Sequence, residues 1–241
     1  MSETWNYSSI VGMLLYLSTN TRPDISFAVS QVGRFCSNPK KSHSTAIKTI
    51  VRYLAGTIDK GMILKPQGNL KLEMFCDADF AGLYKRDPDR SVDSARSRTG
   101  YIVKLSNCPL VWKSHLQTEV ALSTLEAEYS ALSQALRTLL PLKRILTGVA
   151  DLIRLPSEAG AKILAEVFED NQGCLALATN HRLTSRTKYF HVKYHWFWHQ
   201  YKVHREFEIS YIQSSLQDAD YLTKQLPKDV FRANRQRVQG W

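Results

Sequence analysis

Cysteine is scarce in this chain: Cys36, Cys76, Cys108 and Cys174 are scattered through 241 residues without a CxxC spacing. That excludes a zinc ribbon or a disulfide framework and leads us to expect buried, reduced thiols. Long apolar runs are missing too. Segments such as Ile10 to Leu17 and Val120 to Leu122 are too short to span a bilayer, and the N-terminus lacks the basic-then-apolar pattern of a secretion signal. We therefore expect a soluble intracellular protein, cytoplasmic or nuclear, with no membrane partner. No repeat or low-complexity tract is present. Acid is the minority charge: 22 Asp and Glu against 32 Lys and Arg leave a formal +10. Such an excess suits a polyanionic partner, because cations bound to phosphates release condensed counterions. The hydrophobic content of 44% is ample for a packed core in one large or two small domains.

Residues 6 to 66 read as helical. Ile10, Leu14, Leu15 and Leu17 form one apolar stripe; Ile25, Ala28, Val29 and Val32 form another after Arg22-Pro23-Asp24; Ala46, Ile47, Ile50, Val51 and Leu54 form a third before Gly56. Pro66 to Asn69 is turn-rich, and beyond it the apolar period changes to two. The expected organisation is a helical segment over 1–67, an α/β domain over 68–226 and a basic tail over 227–241. In the middle region, strands are expected at Leu70 to Asp77, Thr99 to Leu105 and Leu110 to Trp112, with a polar loop from Tyr84 to Arg98. A helix opened by Ser123 and a separate helical stretch, Pro141 to Ile153, precede a strand ending at Asp170. A helix from Asn171, a basic helix around His191 to Tyr201, a strand from Phe207 to Gln213 and a short helix containing Asp220 complete the series. The pattern predicts an α/β fold, a mixed sheet covered on both faces.

Four acids fall where a metal-dependent phosphodiester-cleaving site needs them. Asp77 and Asp170 end strand-like runs, Glu128 lies on the helix opened by Ser123, and Asp220 opens a short helix. Carboxylates gathered from separate elements repel one another unless a hard divalent cation sits between them, and magnesium is the natural occupant. Asp79 competes with Asp77 on the same strand face, and Asp218 with Asp220; strand-to-helix aspartates also serve as caps. Ser123 to Glu126 reads as a capping box, which employs Glu126 at the helix N-terminus. Glu128, about 200° further around the helix, faces elsewhere.

Between His181 and Arg205 there are six lysines or arginines and no acid, interleaved with Tyr189, Phe190, Tyr194, Trp196, Phe197, Trp198 and Tyr201. This suits phosphate contacts on one face, with the aromatics mainly in the core. His191, His195 and His199 recur every fourth residue. The outer pair is about 12 Å apart along a helix axis, so one zinc ion could use only neighbours, and no fourth ligand is evident. Packing or phosphate contact is the expectation there.

Several ordered motifs resemble one family. Cys76-Asp77-Ala78-Asp79-Phe80-Ala81-Gly82, Arg98-Thr99-Gly100-Tyr101, Val111-Trp112-Lys113-Ser114, Val120 to Thr124 with Glu126-Ala127-Glu128-Tyr129, Asp170-Asn171-Gln172, Arg186-Thr187-Lys188, and Ala219-Asp220 with Leu222-Thr223-Lys224 resemble the ribonuclease H domain of copia-type retrotransposon polyproteins. Upstream, Ser9-Ile10-Val11-Gly12, Leu15-Tyr16-Leu17, Thr21 to Ile25 and Arg52-Tyr53-Leu54 with Gly56-Thr57 look like the region joining the reverse transcriptase core to that domain.

The resemblance implies a ribonuclease H-like, five-stranded mixed sheet with helices on both faces, preceded by a small all-helical segment. It implies an endonuclease that hydrolyses the RNA strand of an RNA/DNA hybrid with two magnesium ions, or manganese in their place. Asp77, Glu128, Asp170 and Asp220 would be the ligands and catalytic acids. Nucleic-acid contacts are expected at Lys113, Asn171, Gln172, Arg182, Arg186, Lys188 and Lys193. The implied partners are the hybrid and, in a full polyprotein, a reverse transcriptase core. The alternative is a catalytically inactive nucleic-acid-binding remnant of a truncated element. Family sequences often carry an acid where His191 falls and a histidine where Tyr189 falls. Cellular ribonucleases H place a histidine before the last helix, and Gln213 to Gln217 has none. A polymerase Y-x-D-D hairpin does not occur, so DNA synthesis by this chain alone is not expected.

Overall fold

A computed structural model of the chain describes residues 5–84, 87, 91–153, 163–180 and 194–241. Three helices come first: α1 (Tyr7–Asn20), α2 (Ser26–Gly33) and α3 (Lys41–Ala55). The Asn6 side chain accepts from the Ser9 amide at 3.0 Å and caps α1. Their common core contains Tyr7, Val11, Leu14, Ile25, Val29, Val32, Ile47 and Ile50. The α1 stripe is thus rotated from the expected one: Leu15 is 44% exposed, and Tyr7 and Val11 take the inner positions.

The sheet follows, built from β1 (Lys71–Asp79), β2 (Arg98–Leu105), β3 (Cys108–Leu116), β4 (Leu164–Glu169) and β5 (Glu208–Tyr211), in the order β3-β2-β1-β4-β5. β1 to β3 form an antiparallel meander, while β4 runs parallel to β1 and β5 parallel to β4. Helix α4 (Val92–Ala95) lies within the polar loop between β1 and β2. Helices cover both faces, so the chain has the expected five-stranded mixed sheet covered on both sides, behind a small helical segment.

One face packs on α5 (Thr124–Leu152) through Leu72, Met74, Tyr101, Val103 and Val167 against Leu132, Leu136 and Leu139. The helix expected to restart at Pro141 does not: α5 is one 29-residue helix with Pro141 inside it. Proline removes one backbone donor, but the helix is held on either side by Leu139, Leu140 and Lys143, all buried. Helix α6 (Gln172–Asn180) follows β4; of the helix expected around His191 to Tyr201, residues 194–197 are turn and only α7 (Trp198–Lys202) is α-helical. Residues 181–193 lie outside the described residues.

The other face packs on α8 (Asp220–Thr223) and α9 (Lys228–Gln239) through Phe75, Ile102 and Trp112 against Tyr221, Leu222 and Val238. Residues 227–241, expected as a tail, therefore carry a packed helix, ended by Gly240 at φ 87°. Its basic side chains hid the apolar pair Phe231 and Val238 that seat it. The helical segment is tied to the same face: Trp112 Nε1 donates to the Ser18 carbonyl at 2.6 Å, and Gln239 Nε2 donates to Asp24 at 3.2 Å. The cysteines are unpaired, three of them buried and Cys36 half-buried.

Candidate active site

The register of β1 and β2 places Asp77 opposite Gly100. A Cβ on Gly100 would lie 2.6 Å from Thr223 Cγ2 and 2.9 Å from Leu222 Cβ, so the missing side chain lets α8 approach the sheet. Thr223 consequently donates its hydroxyl to Asp77 Oδ2. From the opposite side of the sheet α5 brings Glu128, and the chain leaving β4 brings Asp170. One carboxylate oxygen from each of Asp77, Glu128 and Asp170 lies within 4.8 Å of the others.

Asp220 approaches through Lys224, whose Nζ is 2.8 Å from Asp220 Oδ1 and 3.6 Å from Asp77 Oδ2. The four expected acids are thus electrostatic neighbours. Burial raises the Glu128 carboxyl well above its usual range, and the charges of Asp77, Glu169 and Asp170 add to the effect. Asp77 is also raised by burial, against the opposing pull of Lys224 and Thr223. Asp220 is pushed up to about 6, first by burial and then by Asp77. Glu128 Oε2 is buried with no hydrogen-bond partner. Concentrated hard oxygen donors, an orphaned carboxylate oxygen and mutual repulsion fit a divalent cation.

The competing acids have other employment. Asp218 is locked between Lys104 Nζ at 2.5 Å and Arg237 Nε at 2.8 Å. Asp79 packs against Gly82, where a Cβ would meet its Oδ2 at 1.8 Å. Glu126 works at the helix N-terminus, though without completing the expected capping box: its amide donates to Ser123 Oγ at 3.1 Å, while its carboxylate accepts from the amide of Leu122, one residue before the cap, at 2.8 Å.

Of the expected nucleic-acid contacts, Lys113 is exposed on the edge strand β3 and Gln172 is exposed beside Asp170. Asn171 Oδ1 accepts from the Cys174 amide at 3.0 Å and so caps α6. Arg182, Arg186, Lys188 and Lys193 lie outside the described residues, as does His191. Among the described aromatics of that stretch, Tyr194 and Phe197 are buried, and Trp196 Nε1 donates to Ser133 Oγ at 3.0 Å, which makes them core. His195 Nδ1 meets the Tyr129 hydroxyl at 2.8 Å, and His199 packs edge-on against His204; neither joins a metal cluster among the described residues.

Two site residues escaped the sequence reading. Glu169 is fully buried; it accepts from the Asn171 amide at 3.1 Å and lies 3.4 Å from Cys76 Sγ. Its phase with Ile163, Ala165 and Val167, all inward, was the available signal. Lys224 was quoted only as part of a motif, and nothing local marks its reach to Asp77.

No family model matches the chain. It is 35% identical over 96% of its length to the retrovirus-related Pol polyprotein from transposon TNT 1-94 of Nicotiana tabacum, and 34% identical over 96% to that from transposon RE1 of Arabidopsis thaliana. It spans only 16% and 15% of those polyproteins. Among solved structures, a ribonuclease H1 isolated from compost aligns with a TM-score of 0.39 and 13% identity, covering 64% of this chain and 94% of that one. Over 96% of its length the chain is thus homologous to a segment of the retrovirus-related Pol polyproteins of plant transposons.

Proposed function

We propose that this segment is the ribonuclease H unit of a copia-type element, a magnesium-dependent endonuclease that hydrolyses the RNA strand of an RNA/DNA hybrid. The observation that carries the reading is the convergence of Asp77, Glu128 and Asp170 within 4.8 Å, with Asp220 joined through Lys224. Asp77, Glu128, Asp170 and Asp220 would hold the magnesium. When bound, the metal supplies an activated water and neutralises charge on the leaving oxygen, giving a 3′-hydroxyl and a 5′-phosphate.

The chain's own residues prepare that site. Thr223 orients Asp77 by hydrogen bonding to Oδ2. Glu169, through the Asn171 amide, fixes the turn that presents Asp170. Lys224 holds Asp77 and Asp220 together against their repulsion. Exposed Lys113 and Gln172 would contact the hybrid, with Asn171 presented beside Gln172. In a full polyprotein a reverse transcriptase core would be the partner, and the site would act inside the cell.

The test uses purified protein and labelled hybrid, with duplex DNA and duplex RNA as controls. Cleavage should require magnesium and be confined to the RNA strand of the hybrid. Asp77→Asn and Glu128→Gln should each lower the rate by at least about a hundredfold while hybrid binding stays near wild type, since the basic surface is untouched. Undiminished cutting by both variants would refute the assignment. Binding without cutting by the wild type would mark an inactive remnant.

A further inference from the structure

Four cationic side chains are buried among the described residues, and three of them face a carboxylate. Arg22 pairs with Asp24 at 2.8 Å, Lys104 with Asp218 at 2.5 Å and Lys143 with Glu206 at 3.0 Å. Arg98 is the exception. It is 2% exposed, its Nη2 has no hydrogen-bond partner, and among the described residues no carboxylate makes an ion pair with it. Its Nη1 donates to Ser30 Oγ at 2.7 Å and Ser114 Oγ at 3.1 Å, and its guanidinium lies 5.3 Å from the Phe27 ring centroid. Burial lowers its pKa to about 10, the nearby charge of Arg34 adds to the effect, and the charge of Asp79 on the neighbouring strand opposes it. A buried guanidinium without a direct ion pair is unfavourable, and Asp79 offsets that cost only in part.

The two serines explain how that charge can be used. Each hydroxyl oxygen accepts from Arg98, so each hydroxyl proton remains free to donate, and no described acceptor takes it. A hydroxyl that accepts from a cation is a better donor in turn. Ser30 and Ser114 both line a cavity of about 450 Å³ enclosed by α1, α2 and β3, whose walls also carry Arg34, Lys113 and the apolar Leu15, Val29 and Trp112, and no acid lines it.

We propose that this cavity binds a phosphate group, held by the hydroxyls of Ser30 and Ser114 with the charge of Arg98 behind them and Arg34 at the rim. The phosphate is either free inorganic phosphate or a phosphodiester of a nucleic-acid strand. Geometry favours neither source over the other, but it places Arg98, which holds both serines, close to the acids. Arg98 pairs with Asp79 across the strands as Gly100 pairs with Asp77, which puts the Arg98 backbone roughly 8 Å from that of Asp77. The helical segment supplies Ser30 and Arg34, so it forms part of the site. Only the choice of a nucleic-acid strand as the source rests on the nuclease reading; capture of phosphate does not.

The experiment uses the full chain in EDTA, where no cleavage intervenes. Inorganic phosphate is titrated calorimetrically, and a 12-nucleotide DNA strand is then added as competitor. Saturable binding is expected, weakened about tenfold by Ser30→Ala and by Ser114→Ala, each of which removes one charge-assisted donor. Arg98→Met should melt at a higher temperature than wild type in phosphate-free buffer, yet lose the rise in Tm that phosphate gives the wild type. Displacement by the DNA strand identifies a backbone phosphate as the occupant, and its absence identifies free phosphate; both support the site. Absence of saturable binding, or equal affinity in wild type and all three variants, overturns it. Loss of hybrid cleavage with phosphate binding intact would count against the nuclease reading alone.

Discussion

At Asp220, burial and the charges of Asp77 and Asp170 push the carboxyl up to about 6 against the pull of Lys224. An unfolded aspartate titrates near about 3.9, so between these values the folded chain holds a proton that the unfolded chain has lost. The stability this group contributes is fully present below about pH 4 and is lost as pH rises through 6. Melting curves in EDTA from pH 4 to 7.5 should therefore fall more steeply for wild type than for Asp220→Asn, which has no proton to exchange. Magnesium should reverse the sign, because it binds the ionised site, and hybrid cleavage should decline below about pH 6. A wild-type curve parallel to that of the variant would contradict the assignment. The acids themselves were legible in sequence because each stands at the end of a patterned run or one turn inside a capped helix. Glu169 and Lys224 were not: a charged residue in an inward phase contradicts the usual preference for exposure, and Lys224 reaches Asp77 only once α8 is docked.

Helix α5 and strand β2 carry the predictions at the scale of elements. Pro141 is exposed, and α5 continues through it. Replacing it with alanine restores one backbone donor and relieves the ring clash, so Pro141→Ala should stabilise the protein by roughly 1–3 kcal/mol in denaturant unfolding. No gain would mean that the helix is relaxed around the proline. Gly100 is the opposite case, since a Cβ there collides with Thr223 and Leu222. Gly100→Val should destabilise by about 1–3 kcal/mol. By displacing α8 it should also weaken magnesium binding measured by calorimetry, although residue 100 touches no ligand. Element types were readable from period and punctuation, as the β1 to β3 meander illustrates. Continuity across Pro141 was not, because proline normally ends a helix and only packing on the sheet overrides it. The rotation of the α1 stripe escaped for a related reason: Leu14 and Leu15 are equally apolar, and only the positions of α2 and α3 decide which turns inward.

For the whole molecule, the boundary near residue 67 is a change of pattern across which the chain remains packed. Arg22 binds Asp24 through two nitrogens, at 3.0 Å and 2.8 Å, and Tyr53 donates to the same carboxylate at 2.6 Å. The Arg22 guanidinium also lies 5.4 Å from the ring centroid of Trp241, so the helical segment and residue 241 meet at this ion pair. Asp24→Ala would leave Arg22 buried without its anion, and a loss of about 3–5 kcal/mol is expected. The same logic governs truncation. Removing residues 1–67 deprives Trp112 Nε1 of the Ser18 carbonyl, Arg98 of Ser30, and Gln239 of Asp24. It also uncovers the α2 side of the edge strand β3. A fragment beginning at residue 68 should therefore unfold at lower temperature and expose apolar surface to a hydrophobic dye. Equal melting temperatures for fragment and full chain would show that the helical segment is a passenger. A fragment that melts early and yet cleaves hybrid at low temperature would separate the two roles, leaving the acids sufficient for chemistry and the helices responsible for holding β2 and β3 in place.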